Sequence, residues 1–311
     1  MKQNTNAVLM IRPVNFRMNE QTTVNNYYQK NIDGALPATI NAKAQNEFDA
    51  LVEKLLAVGV EVIVVEDTLE PQTPDSIFPN NWISFHQNGD VAFYPMFAPN
   101  RRAERREDIL DIIEEKGFSI ENIVDYSSAE EDGFFLEGTG SIVLDRKNEK
   151  AYCALSPRSD EELFIEFCED FDLAPVLFEA FQNVDGRREL IYHTNVMMAI
   201  GENFAVICAD AIDDKQERKM VLESLKKDHK EIILITENQL NSFVGNMIEL
   251  EGVNNQKYIV MSATAHKALT SKQIEQLSKH GHILSSDLEV IETCGGGSAR
   301  CMIAEIFVER V

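Results

Sequence analysis

Apolar positions along the chain follow two rhythms that alternate. Residues 7–14 (AVLMIRPV) form the first continuous run and predict a strand, while 15–40 are polar and predict no regular element. Phe48, Leu51, Val52, Leu55 and Leu56 then fall at helical spacing, predicting a helix from Asn41 as N-cap to Gly59. Residues 60–65 (VEVIVV) follow as a buried strand. The order recurs. A helix opening at Asn100 carries Ile109, Leu110, Ile112 and Ile113 and closes at Gly117 before a strand around Ile123. A third, capped at Ser159 with acids in its first turn, presents Leu163, Phe164 and Phe167. A fourth begins at Asp213 and leads to a strand at 232–235. A fifth begins at Thr270, ends near Gly281 and precedes a strand expected at 288–291.

The five helix starts lie 59, 59, 54 and 57 residues apart. A fixed period signals a modular architecture. After each helix and strand comes a polar motif and then, in three units, a hairpin: 82–85 with 91–94 across Asn88-Gly89, 141–144 with 151–155, and 196–200 with 205–208. The fifth unit lacks its last strand, which the strand at 7–14 is placed to supply, closing a ring and covering exposed sheet edges. The expectation is one domain over 1–311, an α/β ring of five ββαβ-like units.

Each unit carries its unusual polar residues at a similar distance from its helix start. Asp75 stands 34 residues on in PDSIFPNN, Glu137 37 on in FLEGTGS, His193 34 on in YHTNVMM, Asn246 33 on in FVGNM and Cys301 31 on in CGGGSARCM. In a ring of similar units, residues of equal phase meet near the axis. An acid, a histidine and a cysteine would then share a cleft suited to nucleophilic catalysis by thiolate. Each motif alone has a plainer reading, such as a strand-end glutamate, a half-buried histidine or a tight turn before a strand. Three consecutive glycines suit a loose loop, expected to act as a lid over Cys301.

Composition narrows the partners. With 29 Lys and Arg against 52 Asp and Glu, the net charge of −23 repels phosphate backbones and anionic lipid, so neither nucleic acid nor a membrane is expected. Five cysteines without a C-x-x-C pair, and no apolar leader or spanning stretch, predict a reduced cytoplasmic protein. Cys294 and Cys301 lack further ligands at metal spacing, so no metal is expected.

At these motifs the chain resembles the guanidine-modifying superfamily of arginine and agmatine deiminases, dimethylarginine hydrolases and amidinotransferases. The resemblance spans essentially the whole chain and implies a five-bladed α/β propeller that needs no cofactor. GGGSARCM resembles the nucleophile loop, implying Cys301 as nucleophile with Arg300 beside it in the substrate site. LEGTGS implies that Glu137 binds the substrate's planar N–H groups, and YHTN implies His193 as the proton-transfer group. PDSIFPNN is similar to a dimethylarginine-hydrolase segment and implies Asp75 at the substrate. LSPRSD and APNRRAE imply Arg158 and Arg101 as binders of the substrate carboxylate. Two departures stand out. Asn80-Asn81 and Asn195 occupy places where relatives carry acids that grip a guanidinium. Asparagine both donates and accepts, which suits a neutral ureido group. The chain most resembles the citrulline-utilisation branch. The implied activity is C–N hydrolysis of citrulline or another arginine-derived amino acid by a possible homo-oligomer. Amidino transfer, arginine-deiminase or dimethylarginine-hydrolase chemistry, and an inactive amino-acid binder are the alternatives.

Overall fold

The computed structural model describes residues 1–310. Strands β1 (Ala7–Arg12) and β2 (Glu61–Glu66) run parallel, joined by helix α1 (Pro37–Ala57). Next come the hairpin β3 (Ile83–Phe85) and β4 (Asp90–Phe93), then α2 (Asp108–Glu115) and β5 (Asn122–Asp125), which lies parallel to β4. The pattern repeats in β6 (Ile142–Asp145), β7 (Lys150–Leu155), α3 (Glu161–Asp170) and β8 (Ala174–Glu179). A small hairpin, β9 (Phe181–Val184) and β10 (Arg187–Leu190), is inserted before the next unit. That unit is β11 (Met198–Ile200), β12 (Phe204–Ile207), α4 (Lys215–Lys227) and β13 (Glu231–Leu234). Then follow β14 (Ile248–Glu251), β15 (Lys257–Ser262), α5 (Ser271–Leu277) and β16 (His282–Ser286). Helix α6 (Glu289–Gly295) leads to β17 (Ala304–Glu305), which pairs antiparallel with β1 through Val8 opposite Glu305.

The result is an α/β fold of five three-stranded sheets, each with an antiparallel pair and a parallel pair on its middle strand. The strand at the start of the chain completes the sheet begun by the strand near its end, as its pattern predicts. Helices cover the sheets through apolar stripes: Phe48, Leu51 and Leu55 of α1 and Val221 and Leu225 of α4 are fully buried. Their starts are chemically marked. Asp160 accepts the Glu162 and Leu163 N–H groups, Asp214 accepts those of Gln216 and Glu217, and Thr270 forms a reciprocal box with Gln273.

Several expectations are corrected. Helix α1 starts at Pro37, so Asn41 lies inside it and accepts the Phe16 N–H instead of capping. Asn100 belongs to a separate single turn, Pro99–Arg102, and α2 begins after a break. The caps of α3 and α4 are Asp160 and Asp214, one residue beyond Ser159 and Asp213. Residues 288–291 enter helix α6, and the expected strand is β16 instead. Glu47 of α1 accepts the Val290 and Ile291 N–H groups, satisfying the start of α6 from a distant part of the chain.

Candidate active site

Each sheet's first strand is preceded by a turn, and those turns hold the polar motifs. Asn80 and Asn81 precede β3, Glu137 precedes β6, His193 and Asn195 precede β11, Asn246 precedes β14 and Cys301 precedes β17. Hydrogen bonds run from turn to turn. Thr139 Oγ1 donates to the Asn80 carbonyl (3.3 Å), Asn195 Nδ2 to the Thr139 carbonyl (3.3 Å) and Asn246 Nδ2 to the Asn195 carbonyl (3.1 Å). The Arg300 N–H closes the series on Asn246 Oδ1 (3.0 Å). The turns of equal phase are therefore neighbours, with Glu137 in contact with His193 and Asn246 in contact with Cys301. Gly140 makes this approach possible: a Cβ there would lie 2.8 Å from His193 Nδ1 and collide with Asn81 Nδ2.

Glu137 and His193 are buried, and Glu137 Oε2 stands 2.7 Å from His193 Nε2. Burial alone would raise the Glu137 pKa, but Arg158, the His193 hydrogen bond and Arg101 hold it well below the usual carboxylate range. Burial lowers His193 to about 4, overriding the pull of Glu137. A charged carboxylate accepts only, so the neutral imidazole carries its proton on Nε2 and keeps a lone pair on Nδ1. The other Glu137 oxygen accepts the Phe97 N–H at 3.0 Å. Both oxygens are thus engaged by the protein, an arrangement that orients the histidine.

The two arginines differ. Arg101 binds Glu104 through two hydrogen bonds of 2.9 and 2.8 Å and donates to Asn81 Oδ1 at 2.8 Å. Burial disfavours its charge, but Glu104, Asp75 and Glu137 together raise its pKa. Its fork is nearly used up within the protein. Arg158 lies 3.4 Å from Glu137, stacks over Tyr192 and donates to Asn25 Oδ1 and the Thr22 carbonyl. Arg300 directs its guanidinium to the Ile303 carbonyl and Glu305. Asn81 gives Nδ2 to Asn80 Oδ1, so both ends of its amide have partners, one of them the Arg101 guanidinium.

The turn before β3 leaves Asp75 Oδ1 and Asn80 Nδ2 without a partner among the described residues, as it does Ser76 Oγ and Trp82 Nε1. Burial raises Asp75 above its ordinary pKa, against the pull of Arg101 and the Asn19 hydrogen bond. An acceptor and a donor five residues apart in the chain are left unsatisfied, at a cost that a ligand would relieve.

Cys301 is 3% exposed. One side packs in an apolar cluster with Phe16, Phe78 and Met302, and its sulfur faces Asn246 Nδ2 at 3.2 Å and Asn195 Nδ2 at 3.5 Å. The glycine loop lies against Cys301 but is itself buried, so it is not the outermost cover. Gly295 and Gly297 press against Phe78, leaving no room for a side chain. The cover comes instead from the polar stretch before α1, where Asn19 and Thr22 bind Asp75 Oδ2 and Asn26 and Gln29 bind the Gly295 carbonyl. Its density of Asn, Gln and Thr was the available signal, unreadable without knowing what lay beneath. Asn246 was visible by phase alone, with nothing to tie it to the sulfur.

The family described as N,N dimethylarginine dimethylhydrolase, eukaryotic, matches residues 12–308. The chain belongs to this family. No curated protein matches it closely enough in sequence to be called a relative. Among solved structures, the dimethylarginine dimethylhydrolase-family fold seen here is shared with ArgZ, an arginine dihydrolase from the ornithine-ammonia cycle in cyanobacteria. Its apo form has a TM-score of 0.75 at 17% identity, over 98% of this chain and 41% of that one. The present chain therefore spans about two fifths of that enzyme. An asparagine-to-serine variant of the ArgZ N-terminal domain, covalently bound to a reaction intermediate, gives 0.73 at 17% identity over 97% and 99% of the two chains. A cysteine-to-serine variant of dimethylarginine dimethylhydrolase from Pseudomonas aeruginosa, complexed with citrulline, gives 0.61 at 14% identity over 98% and 100%.

Proposed function

We propose that this family member is a cysteine-dependent hydrolase that cleaves a C–N bond in an arginine-derived amino acid, with a ureido compound such as citrulline as preferred substrate. The observation that carries the reading is the joining of Glu137 to His193 at 2.7 Å in the same buried group of turns that holds the Cys301 sulfur. Cys301 attacks the planar carbon of the substrate and forms a C–S bond. The proton it gives up reaches the departing nitrogen by way of His193 Nδ1, and the C–N bond breaks. Water then attacks the same carbon and gives a proton to His193. The C–S bond breaks, and that proton restores the thiol. Imidazolium exists only transiently, beside the Glu137 charge that stabilises it.

The substrate preference rests on two of the unpartnered atoms. Asn80 Nδ2 can donate to a ureido oxygen and Asp75 Oδ1 can accept from a ureido N–H, whereas a guanidinium has no acceptor to offer Asn80. Arg158 is assigned to the substrate carboxylate once the Thr22 and Asn25 contacts open; Arg101, Asn81, Asn195 and Arg300 shape the surrounding site. We read the five sheets as blades of a pseudo-fivefold propeller forming one catalytic domain. Its net charge of −23 suits a cytoplasmic role away from nucleic acid and membrane surfaces, without metal or cofactor. Among the described residues no helix is long and apolar enough to cross a membrane.

The test is incubation with citrulline, arginine, methylated arginines and agmatine, following ammonia, amine release and product mass, with Cys301→Ala as control. Citrulline turnover lost in the variant supports the reading. A tenfold preference for arginine would overturn the ureido assignment, transfer to an added amine would make the protein an amidinotransferase, and binding without turnover would make it a binder.

A further inference from the structure

The surroundings of the Cys301 sulfur are unusual for a reactive cysteine, because its hydrogen-bonding neighbours are neutral. Asn246 Nδ2 lies 3.2 Å from Sγ and Asn195 Nδ2 lies 3.5 Å away. Both amides are buried, and their orientations are fixed by the rest of the network. Asn246 Oδ1 accepts the Arg300 N–H, so the amide nitrogen must face the sulfur. That nitrogen has two protons, one for the Asn195 carbonyl and one for Sγ. Asn195 likewise divides its two between the Thr139 carbonyl and Sγ, while its Oδ1 accepts from the neutral thiol at 3.8 Å. Two N–H groups thus converge on one sulfur. Among the described residues no cationic side chain is hydrogen-bonded to it: His193 is turned to Glu137, and Arg300 to Ile303 and Glu305.

The backbone is shaped to hold this pair. Gly245 lies so close to the turn after Asn195 that a Cβ would sit 2.8 Å from the Met197 carbonyl carbon. Phe243, two residues before, adopts a left-handed conformation (φ 58°) that bulky residues rarely take. A segment strained and stripped of side chain at these points brings Asn246 under the sulfur.

We infer that Asn195 and Asn246 form a neutral two-donor cradle that stabilises the charged sulfur of Cys301, which makes Asn246 a catalytic residue. The inference rests on the reading of Cys301 as nucleophile. A thiol accepts hydrogen bonds weakly, whereas a thiolate accepts charge-assisted bonds from both amides. The proton given up is the one that His193 passes to the departing nitrogen, so no further co-reactant enters. The cradle also fits the proposed substrate. A guanidinium brings its own positive charge to the sulfur, whereas a ureido group brings none, so the stabilisation must come from the protein.

The experiment is alkylation by iodoacetamide without substrate, from pH 6 to 10, with Cys301 modification read by peptide mass and Cys301→Ser as the blank. Asn246→Ala is expected to slow alkylation about tenfold at pH 7, the effect of removing one hydrogen bond to a charged group, and to match the parent at pH 10. Asn195→Ala should do the same, and it carries the test if Asn246→Ala does not fold. Alkylation profiles in both variants that superimpose on the parent's would overturn the cradle. The outcome separates from that of the hydrolase reading. A shifted profile with no turnover of any offered amino acid leaves the cradle standing and removes the proposed activity, whereas turnover with unshifted profiles does the reverse.

Discussion

Replacing Glu137 with glutamine removes one charge while keeping the shape, and separates two roles for this carboxylate. If it grips the substrate's N–H groups, as its motif implies, the loss falls on binding. If it orients His193, as the 2.7 Å contact indicates, the loss falls on the chemical step. A charge-assisted bond of this kind is worth about 1.5–3 kcal/mol, roughly tenfold to 150-fold in rate. Because Phe97 and His193 each donate to one oxygen, a glutamine must turn its NH2 toward one of them. The comparable exchange in a Ser-His-Asp triad costs about 10⁴-fold through the wrong tautomer. The expected fall in kcat is therefore about 10²- to 10⁴-fold, with KM within about threefold. Stability falls as well. Arg158 stands 3.4 Å from Glu137, and a pair at that distance is worth roughly 5 kcal/mol at an effective dielectric near 20, before desolvation is subtracted. Leaving that arginine buried without a carboxylate should cost about 3 kcal/mol and lower Tm by roughly 6 °C. Steady-state ammonia release and thermal circular dichroism measure both. A KM raised tenfold or more at unchanged kcat would place Glu137 on the substrate and refute the orienting role.

His193, held at about 4 by burial against an ordinary 6.5, should titrate in the folded protein with an NMR midpoint near 4. Since the folded value is the lower one, its contribution to stability is present above pH 6.5 and lost as pH falls toward 4; a midpoint near 6.5 would show that water reaches the ring. Gly140→Ala should fold, because the turn Gly138–Ser141 tolerates a methyl in its own backbone, yet lose at least a hundredfold in turnover as Asn81 and His193 are pushed aside. Turnover within threefold of the parent would mean that the two side chains can move apart without cost.

The parts legible in the sequence were those whose cause is local. Asn88-Gly89 between apolar runs marks a hairpin, and Thr270 with Gln273 marks a helix start by chemistry contained in four residues. Asp185-Gly186 carries the same kind of local signal for β9 and β10 but lies outside the repeating period. What failed depended on distant partners. Leu288 to Ile291 is apolar enough for a strand, and it turns helical where Glu47, some 240 residues earlier, satisfies the first amides. In the candidate site, shared phase anticipated that the turns lie side by side, with Glu137 against His193 and Asn246 against Cys301, because equal phase is a property of the repeat. The commitments of Arg101 and Arg300 did not show, because their partners, Glu104 and Glu305, lie within a few residues and look like ordinary surface charges.

The pairing of β1 with β17 also bears on the order in which the chain can fold. Val8 and Glu305 are roughly 300 residues apart, and closing a loop of that length costs about 5 kcal/mol of chain entropy beyond a fixed term. During synthesis, β1 can pair with β2 early, but its other edge stays open until the ribosome has delivered the segment after Cys301. The turn of Cys301 is thus anchored where the two ends of this fold pair. A chain that stops short of β17 carries the other four turns but lacks the edge that holds the fifth.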